Sequence, residues 1–185
     1  MPDAFTDQQS GLSEGDIVGN LLNPSFYVSH HNGGATNTFT DGQLGFRFRF
    51  GADKSPAGYK GVALVGINLA LNGSLDLFAG VNRSGSMPVV GLWWAAAGTN
   101  STPRSSAVGT SLTFSYTQTA ANFSWMAVSL ANDPTATSTD LDGGGSTDYM
   151  LSFSIPFADL VSLAVGLVPG FNKSSFINYA ALTGT

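Results

Sequence analysis

Residues 43–50 read QLGFRFRF, and apolar and charged side chains alternate along the second half of this stretch. Side chains of a β-strand point alternately to opposite faces, so the three phenylalanines share one face and the two arginines share the other. The phenylalanines are Phe46, Phe48 and Phe50, and the arginines are Arg47 and Arg49. The pattern predicts a strand with one face packed against a hydrophobic core.

Similar apolar runs, separated by clusters of Gly, Pro, Asn and Asp, recur on both sides of this stretch. Asn72-Gly73 lies between two of them, and Asn-Gly between apolar runs is a strong signal for a β-hairpin. The regular spacing of runs and turns predicts about eight or nine strands. Runs of this kind, without helices between them, indicate antiparallel sheets rather than parallel βαβ units.

Only residues 156–166, PFADLVSLAVG, have the apolar spacing of a helix, with a proline at the start and a glycine at the end. We therefore predict an all-β fold, a two-sheet antiparallel β-sandwich of the jelly-roll or a related type, with one short helix near residues 156–165. Residues 1–22 are expected to form an N-terminal arm, either loosely ordered or adding one strand. Residues 23–185 are expected to form a single β-sandwich domain.

The composition excludes several classes of site. The chain has 185 residues, of which 43% are hydrophobic and 10% charged, and it contains no cysteine. Without cysteine there are no disulfides and no thiolate metal sites. Only seven residues are basic and the net charge is −5, which argues against a nucleic-acid-binding surface because such surfaces need clustered Lys and Arg.

The low charge, with Ser, Thr and Asn as the main polar residues, is typical of extracellular proteins, so we expect a protein that is extracellular or at the cell surface. No apolar run is long enough for a membrane-spanning helix. The first residues, MPDAFTDQQ, lack the basic and apolar regions of a signal peptide. We expect a mature segment of an exported protein with an added Met, and the sequence leaves open whether the native chain extends beyond residue 185.

Three stretches carry a resemblance to a known group: LGFRFRFGADKSPAGYKGVALVGIN (44–68), LDLFAGVNRSGS (75–86) and DLDGGGSTDYMLSFSIPFADL (140–160). They resemble secreted proteobacterial β-sandwich proteins of a DOMON-like or family-9 carbohydrate-binding-module-like type, which often carry a PEP-CTERM-type sorting tail. The resemblance covers roughly residues 20–183. It implies a DOMON-like sandwich and an exported setting, and it implies no particular reaction.

Residues 140–149, DLDGGGSTDY, form an acidic, glycine-rich segment. Asp140 and Asp142 lie two residues apart, and Asp148 returns at the start of the next predicted strand. Calcium prefers several carboxylate and carbonyl oxygens, so these three aspartates are candidate calcium ligands. The alternative is a glycine-rich turn in which the aspartates bond to nearby backbone amides.

Five residues are candidates for a sugar-binding face that combines aromatic rings with polar groups. They are Trp93, Trp94, Trp125, Tyr59 and Arg104. An exposed ring stacks on the C–H groups of a sugar while amides and hydroxyls bond its hydroxyl groups. Trp93 and Trp94 are adjacent, so a strand would point them to opposite faces. The alternative is that both indoles are buried.

The two arginines of the opening stretch have two possible roles. Arg47 and Arg49 could pair with Asp76 or Asp53 on neighbouring segments, or they could form a small stripe that binds an anion or a polysaccharide. His30 and His31 are adjacent, which places them poorly for chelating one metal ion.

The sequence contains no nucleophile elbow, P-loop or dinucleotide-binding motif, so we do not expect an enzyme. We expect an exported, non-catalytic β-sandwich module that binds carbohydrate or another extracellular polymer and is stabilised by calcium. The alternative is a structural or self-assembling protein of the cell surface, a filament or a biofilm matrix, whose partners are other copies of itself.

Overall fold

The structure is a computed structural model that describes residues 15–31, 41–51, 58–96, 108–143 and 145–184. These residues form nine strands and one short helix, which confirms the predicted all-β class. In chain order the elements are β1 (Phe26–His31), β2 (Gln43–Phe50), β3 (Val62–Asn68), β4 (Leu77–Asn82), β5 (Val89–Ala95), β6 (Val108–Thr117), β7 (Phe123–Ala127), β8 (Tyr149–Pro156), α1 (Phe157–Ala164) and β9 (Asn178–Gly184).

The strands form two antiparallel sheets, as predicted for a sandwich. The first sheet has four strands in the order β1-β2-β8-β7, and the second has five in the order β6-β5-β4-β3-β9. Residues from the inner faces of both sheets make up one hydrophobic core. Each sheet also has an outer face, and the two outer faces differ in chemistry.

The opening stretch forms β2, in the interior of the four-stranded sheet. Its three phenylalanines are buried in the core, and the rings of Phe46 and Phe153 lie 5.2 Å apart. Each fully buried phenylalanine contributes roughly 1.5–3 kcal/mol through removal of apolar area from water. The alternation in the sequence therefore fixes the register of β2, because a shift by one residue would move the arginines into the core.

Strands β3 and β4 form the predicted hairpin, but the connection is longer than a two-residue turn. Residues 69–76 separate the two strands. The carboxylate of Asp76 accepts hydrogen bonds from the backbone N–H groups of Leu69 (2.7 Å) and Ala70 (3.1 Å). Leu71 and Gly73 both have positive φ, 54° and 86°. The loop is thus organised by an aspartate rather than by the Asn-Gly pair alone.

Helix α1 directly follows β8 and buries the predicted apolar stripe. The buried residues are Phe157, Leu160, Val161 and Ala164. Asp159 in its first turn accepts a hydrogen bond from the hydroxyl of Tyr116 on β6 (2.5 Å). Burial raises the pKa of Tyr116, and the hydrogen bond and the charge of Asp159 raise it further. This contact connects the helix to the five-stranded sheet.

Part of the predicted N-terminal arm lies beside β2. Residues 1–14 are outside the described residues, but Ile17 forms an isolated bridge with Phe50. The N–H of Val18 donates to the carbonyl of Arg49 (2.9 Å), and the N–H of Gly51 donates to the carbonyl of Asp16 (3.1 Å). Residues 16–18 therefore continue the edge position of β1 along the end of β2.

The segment between β7 and β8 (residues 128–148), which we call the covering segment, folds over one half of the outer face of the four-stranded sheet. Val128 and Ala136 of this segment pack on Met150 of β8, and Tyr27 of β1 packs against the same small cluster. Tyr27 therefore lies at the boundary between the half of the face that is covered and the half that carries a groove.

Candidate functional site

Under the covering segment lies a buried ion pair, which we call the buried clasp (Arg49, Asp148, Asn23 and Ser138). Nε and Nη2 of Arg49 both donate to Oδ2 of Asp148, at 2.7 and 2.6 Å. Nη2 also donates to the carbonyl of Ser138 (2.6 Å), and Nη1 donates to Oδ1 of Asn23 (3.5 Å). Side-chain exposure is 1% for Arg49 and 0% for Asp148.

Arg49 thus pairs with Asp148, whereas the sequence suggested Asp76 or Asp53. Asp148 is distant in sequence but directly precedes β8, which pairs with β2, so the sheet brings the two side chains together. Asp76 instead organises the loop between β3 and β4, and Asp53 lies outside the described residues.

The clasp connects the covering segment to the N-terminal part of the chain. The amide of Asn23 donates to the hydroxyl of Thr137 (2.7 Å), and the N–H of Thr137 donates to Oδ1 of Asn23 (2.8 Å). Because Arg49 contacts the same Asn23 oxygen, β2, the segment around Asn23 and the covering segment share one hydrogen-bond network. Such buried networks hold a loop in one conformation when every member is bonded.

Burial raises the pKa of Asp148 to about 6. The hydrogen bond and charge of Arg49 and the N–H of Leu141 act in the opposite direction, while the negative charge of Asp142 adds to the rise. The rise shows that desolvation of this carboxylate outweighs the attraction of its partner, as is common for buried ion pairs.

The structure brings the three predicted metal-ligating aspartates together. One carboxylate oxygen from each of Asp140, Asp142 and Asp148 lies within 4.8 Å of the others. Oxygens bound to one calcium ion lie 2.3–2.6 Å from it, and therefore up to about 5 Å from each other. The spacing and the chemistry of the three carboxylates fit calcium at the upper limit of this separation.

Hydrogen bonds already engage the carboxylates of Asp140 and Asp148, among others. Asp140 accepts from the N–H of Gly143 and from the N–H of Gly145, both at 2.9 Å. Asp148 accepts from Leu141 as well as from Arg49. The two glycines have φ of 71° and 79°, a conformation that favours glycine. The loop can therefore hold its shape through turn chemistry, and a bound ion would add to that stability.

The uncovered half of the outer face of the four-stranded sheet forms a groove of about 470 Å³, which we call the outer groove. Its floor follows two rows of residues that face each other across the strands. The first row is Tyr27, Arg47, Ser152 and Ser124, and the second contains Ser29, Gly45 and Ser154. The turn of residues 120–122 forms one rim. This volume is within the range of about 300–1,000 Å³ that is usual for ligand sites.

Arg47 lies in the floor of the outer groove and is exposed. Its Nε donates to the hydroxyl of Ser152 (2.9 Å). Within the described part of the chain the one ion pair is that of Arg49 with Asp148, so no described carboxylate neutralises Arg47. The groove is therefore a hydroxyl-lined surface with one cation near its middle.

The four described members of the predicted aromatic face, Trp93, Trp94, Trp125 and Tyr59, do not lie on one surface. Trp93 is 9% exposed and lies beside Phe78 on the outer face of the five-stranded sheet. Trp94 is 39% exposed and pairs with Leu77, so it lies on the opposite face. Adjacent strand residues point to opposite sides, and the two indoles are separated as that rule requires.

The other three members of that set lie elsewhere. Tyr59 is 2% exposed in the core, and its ring lies 5.2 Å from that of Trp125 on β7. Trp125 also stacks on Tyr149, with ring centroids 4.9 Å apart. Trp125 is thus packed against two aromatic neighbours. Arg104 lies outside the described residues.

His30 has a packing role. Its Nε2 donates to the carbonyl of Asp41 (2.9 Å), and its ring meets that of Phe157 edge to face, with centroids 4.8 Å apart. A smaller cavity of about 150 Å³ lies beside it, near Lys173 and Tyr179. Burial raises the pKa of Tyr179 to about 12.

The serines of the outer groove were not singled out from the sequence. A signal for two of them was present, since LSFSI alternates serine with apolar residues on β8. The same alternation that places Phe153 in the core places Ser152 and Ser154 on the outer face. What the sequence does not reveal is which strands lie on either side of β8, and therefore which residues complete the groove.

Comparisons with protein-family models, with curated proteins and with solved structures found no significant match. The resemblance to DOMON-like and carbohydrate-binding sandwiches therefore stays an expectation. In the part of the chain that the structure describes, no helix has the length and apolarity needed to cross a membrane.

Proposed function

We propose that the protein is an exported, non-catalytic β-sandwich module that binds carbohydrate or another hydroxyl-rich extracellular polymer. The observation that carries this proposal is the outer groove, which combines serine hydroxyls, an exposed arginine and a tyrosine ring on a sheet surface. Hydroxyl groups donate and accept hydrogen bonds, and sugars present many partners of the same kind. The low charge of the chain and its sequence resemblance support the exported setting.

The position of the groove differs from that of the predicted aromatic face. Serines on strands are held by the sheet backbone, so their hydroxyls are positioned at little cost in side-chain entropy. Tyr27 adds an aromatic ring on the outer side of the sheet. We therefore assign polymer binding to the outer groove and not to Trp93, Trp94 or Trp125.

Binding is tested with a panel of immobilised neutral and acidic polysaccharides and the substitutions Ser154→Leu and Ser124→Leu. Each substitution removes a hydroxyl and fills the groove with an apolar side chain. The matched control is Ser115→Leu, which makes the same change at an exposed position on β6 of the other sheet. Retained binding in the groove variants, or no binding by the unsubstituted protein to any polysaccharide, would contradict the proposal.

Calcium forms a secondary part of the proposal. Asp140, Asp142 and Asp148 offer carboxylate oxygens at a spacing that one calcium ion accepts. An ion there would link the covering segment to the start of β8, next to the clasp. It would stabilise the covered half of the outer face, and we assign it no direct contact with the polymer.

A second candidate function is self-association at a cell surface, in a filament or in a matrix. The outer face of the five-stranded sheet supports it, because three of its apolar side chains, Leu64, Leu112 and Leu182, are partly exposed, whereas Phe78 and Trp93 beside them are buried. Gly66, Phe78, Trp93 and Leu112 lie side by side across four strands, and Leu64 and Leu182 form part of the next row. Sheet faces of this kind pack against other apolar surfaces.

Self-association is tested by sedimentation velocity over a range of protein concentrations, with Leu64→Lys as the disrupting variant. The matched control is Leu130→Lys, which introduces the same charge at an exposed leucine of the covering segment. A species that dissociates in Leu64→Lys and persists in Leu130→Lys supports this candidate. A monomer at all concentrations removes it.

A further inference from the structure

We infer that the outer groove binds an acidic polysaccharide, with the guanidinium of Arg47 binding a carboxylate of a uronic acid unit. This inference rests on the proposed function, and it adds the chemical class of the polymer and the residue that selects it. It starts from the contrast between two arginines that share one face of β2.

The first step is the state of charge in the groove. The charge of Arg49 is matched by Asp148 inside the clasp, whereas Arg47 is exposed and has no carboxylate partner among the described residues. Charges of a folded protein are usually solvated or paired, and an unpaired arginine in a groove is a suitable partner for a ligand anion. The groove therefore favours a negatively charged ligand, although the whole chain has a net charge of −5.

The second step is the geometry of Arg47. Its Nε is bonded to Ser152, so one edge of the guanidinium is held against β8. The Nη1 and Nη2 groups have no hydrogen-bond partner in the described part of the chain. A guanidinium presents parallel N–H groups that match the two oxygens of a carboxylate, which a lysine cannot reproduce.

The third step is the surroundings of that cation. In the same cross-strand row, Tyr27 precedes Arg47 and Ser124 follows Ser152. A ring and hydroxyls beside a guanidinium suit a ligand that carries hydroxyls, C–H faces and a carboxylate in one unit. A uronic acid combines these groups, whereas an inorganic anion would use only Arg47.

The fourth step is size. The row crosses four strands, and neighbouring strands lie about 4.8 Å apart, so the row is about 14 Å long. A surface of this length contacts several linked sugar units. This favours a polymer over a single sugar, and it places the charged unit near the middle of the bound segment.

The test measures binding of the full chain to polygalacturonate, to the same polymer after reduction of its carboxyl groups, and to dextran sulfate. EDTA is present throughout so that divalent ions do not cross-link the polymer. We expect binding to polygalacturonate at least tenfold tighter than to its reduced form. Arg47→Ala should weaken binding to polygalacturonate by about tenfold to a hundredfold, the usual effect of losing a hydrogen bond to a charged group.

Two further variants distinguish the paired hydrogen bonds of a guanidinium from the effect of a positive charge alone. Arg47→Lys keeps the charge and should still weaken binding to polygalacturonate several-fold, because an ammonium group does not make the paired contact with a carboxylate. Lys60→Ala removes one exposed cation outside the groove and should leave binding unchanged. Thermal melting of each variant confirms that it is folded.

Three outcomes would overturn the inference. They are equal affinity for native and reduced polygalacturonate, unchanged affinity in Arg47→Ala, and binding to dextran sulfate as tight as to polygalacturonate. If a neutral polysaccharide binds and Ser154→Leu abolishes that binding while Arg47→Ala does not, this inference fails and the proposed function stands. If no polysaccharide binds, both fail.

Discussion

Arg47 and Arg49 are two residues apart on the same face of the same strand, yet they lie in opposite environments. Arg49 is buried under the covering segment and bonded to Asp148, Ser138 and Asn23, whereas Arg47 is exposed in the outer groove and bonded to Ser152. The difference comes from the connection between β7 and β8, which covers one half of the sheet. The strand pattern determines which face of the sheet a side chain lies on. A loop distant in sequence determines whether that part of the face is buried or open to a ligand.

The largest predicted difference between the two arginines is in their contribution to the free energy of unfolding. Replacing Arg49 by Met should lower the free energy of unfolding by about 3–5 kcal/mol, because the carboxylate of Asp148 stays buried without its partner. The same change at Arg47 should alter it by about 0.5 kcal/mol or less, since Arg47 is exposed. Guanidinium chloride unfolding of both variants measures the difference. Similar losses of unfolding free energy in the two variants would contradict the difference in burial between the two halves of the outer face.

A double replacement separates the contribution of the ion pair from that of the other hydrogen bonds of Arg49. Arg49→Met combined with Asp148→Leu removes both charges and fills the space with apolar side chains. Most of the loss caused by Arg49→Met should be recovered, because two desolvation penalties disappear together with one attraction. A double-mutant cycle gives the coupling free energy. If the double variant is as unstable as the sum of the two single variants, hydrogen bonds to Ser138 and Asn23 contribute more than the ion pair.

The third prediction concerns pH. The pKa of Asp148 in the folded protein is about 6, above its ordinary value of 3.8, so between these values the folded state binds more protons than the unfolded state. The contribution of this group to stability is therefore fully present below pH 3.8 and is lost as pH rises through 6, by an amount on the order of 2–3 kcal/mol. The difference in unfolding free energy between the unsubstituted protein and the double variant should fall over this range. A pH-independent difference would contradict the raised pKa.

The architecture could be predicted from local patterns, because apolar periodicity reports directly on which side of a strand or helix is buried. QLGFRFRF gave the correct faces of β2, and the stripe that begins with Phe157 gave the buried side of α1. Contacts between strands distant in sequence could not be predicted in this way. The pairing of β2 with β8 brings Arg49 to Asp148, and the position of β7 beside β8 completes the groove.

The aromatic candidates also show that sequence patterns do not reveal contacts between distant segments. Trp93 and Trp94 were expected to point to opposite faces of a strand, and they do. Tyr59 and Trp125 do meet, and they meet in a packed aromatic group that includes Phe50. Large aromatic residues gain most by burial, so composition alone does not separate a binding ring from a core ring.

The smallest predicted effect is that of calcium on the stability of the covered half of the outer face of the four-stranded sheet. At a few times a dissociation constant near 10⁻³ M, which is typical of extracellular calcium modules, calcium should add about 1 kcal/mol to the free energy of unfolding. Millimolar calcium should therefore raise the melting temperature by a few degrees, and EDTA should reverse the rise. Asp142→Asn should abolish the shift, because it removes one carboxylate from the cluster.

The matched control is Asp133→Asn, which removes an aspartate of the covering segment outside the cluster. Asp133 accepts hydrogen bonds from Thr135 and is not one of the three clustered carboxylates. A calcium shift that survives in Asp133→Asn and vanishes in Asp142→Asn locates the ion at the loop. If calcium leaves the melting temperature of the unsubstituted protein unchanged, the hydrogen bonds from Gly143 and Gly145 to Asp140 are sufficient for the loop. The covered half would then depend on the clasp and on the packing of Val128 and Ala136 on Met150, so Arg49 would remain structural while Arg47 faces the groove.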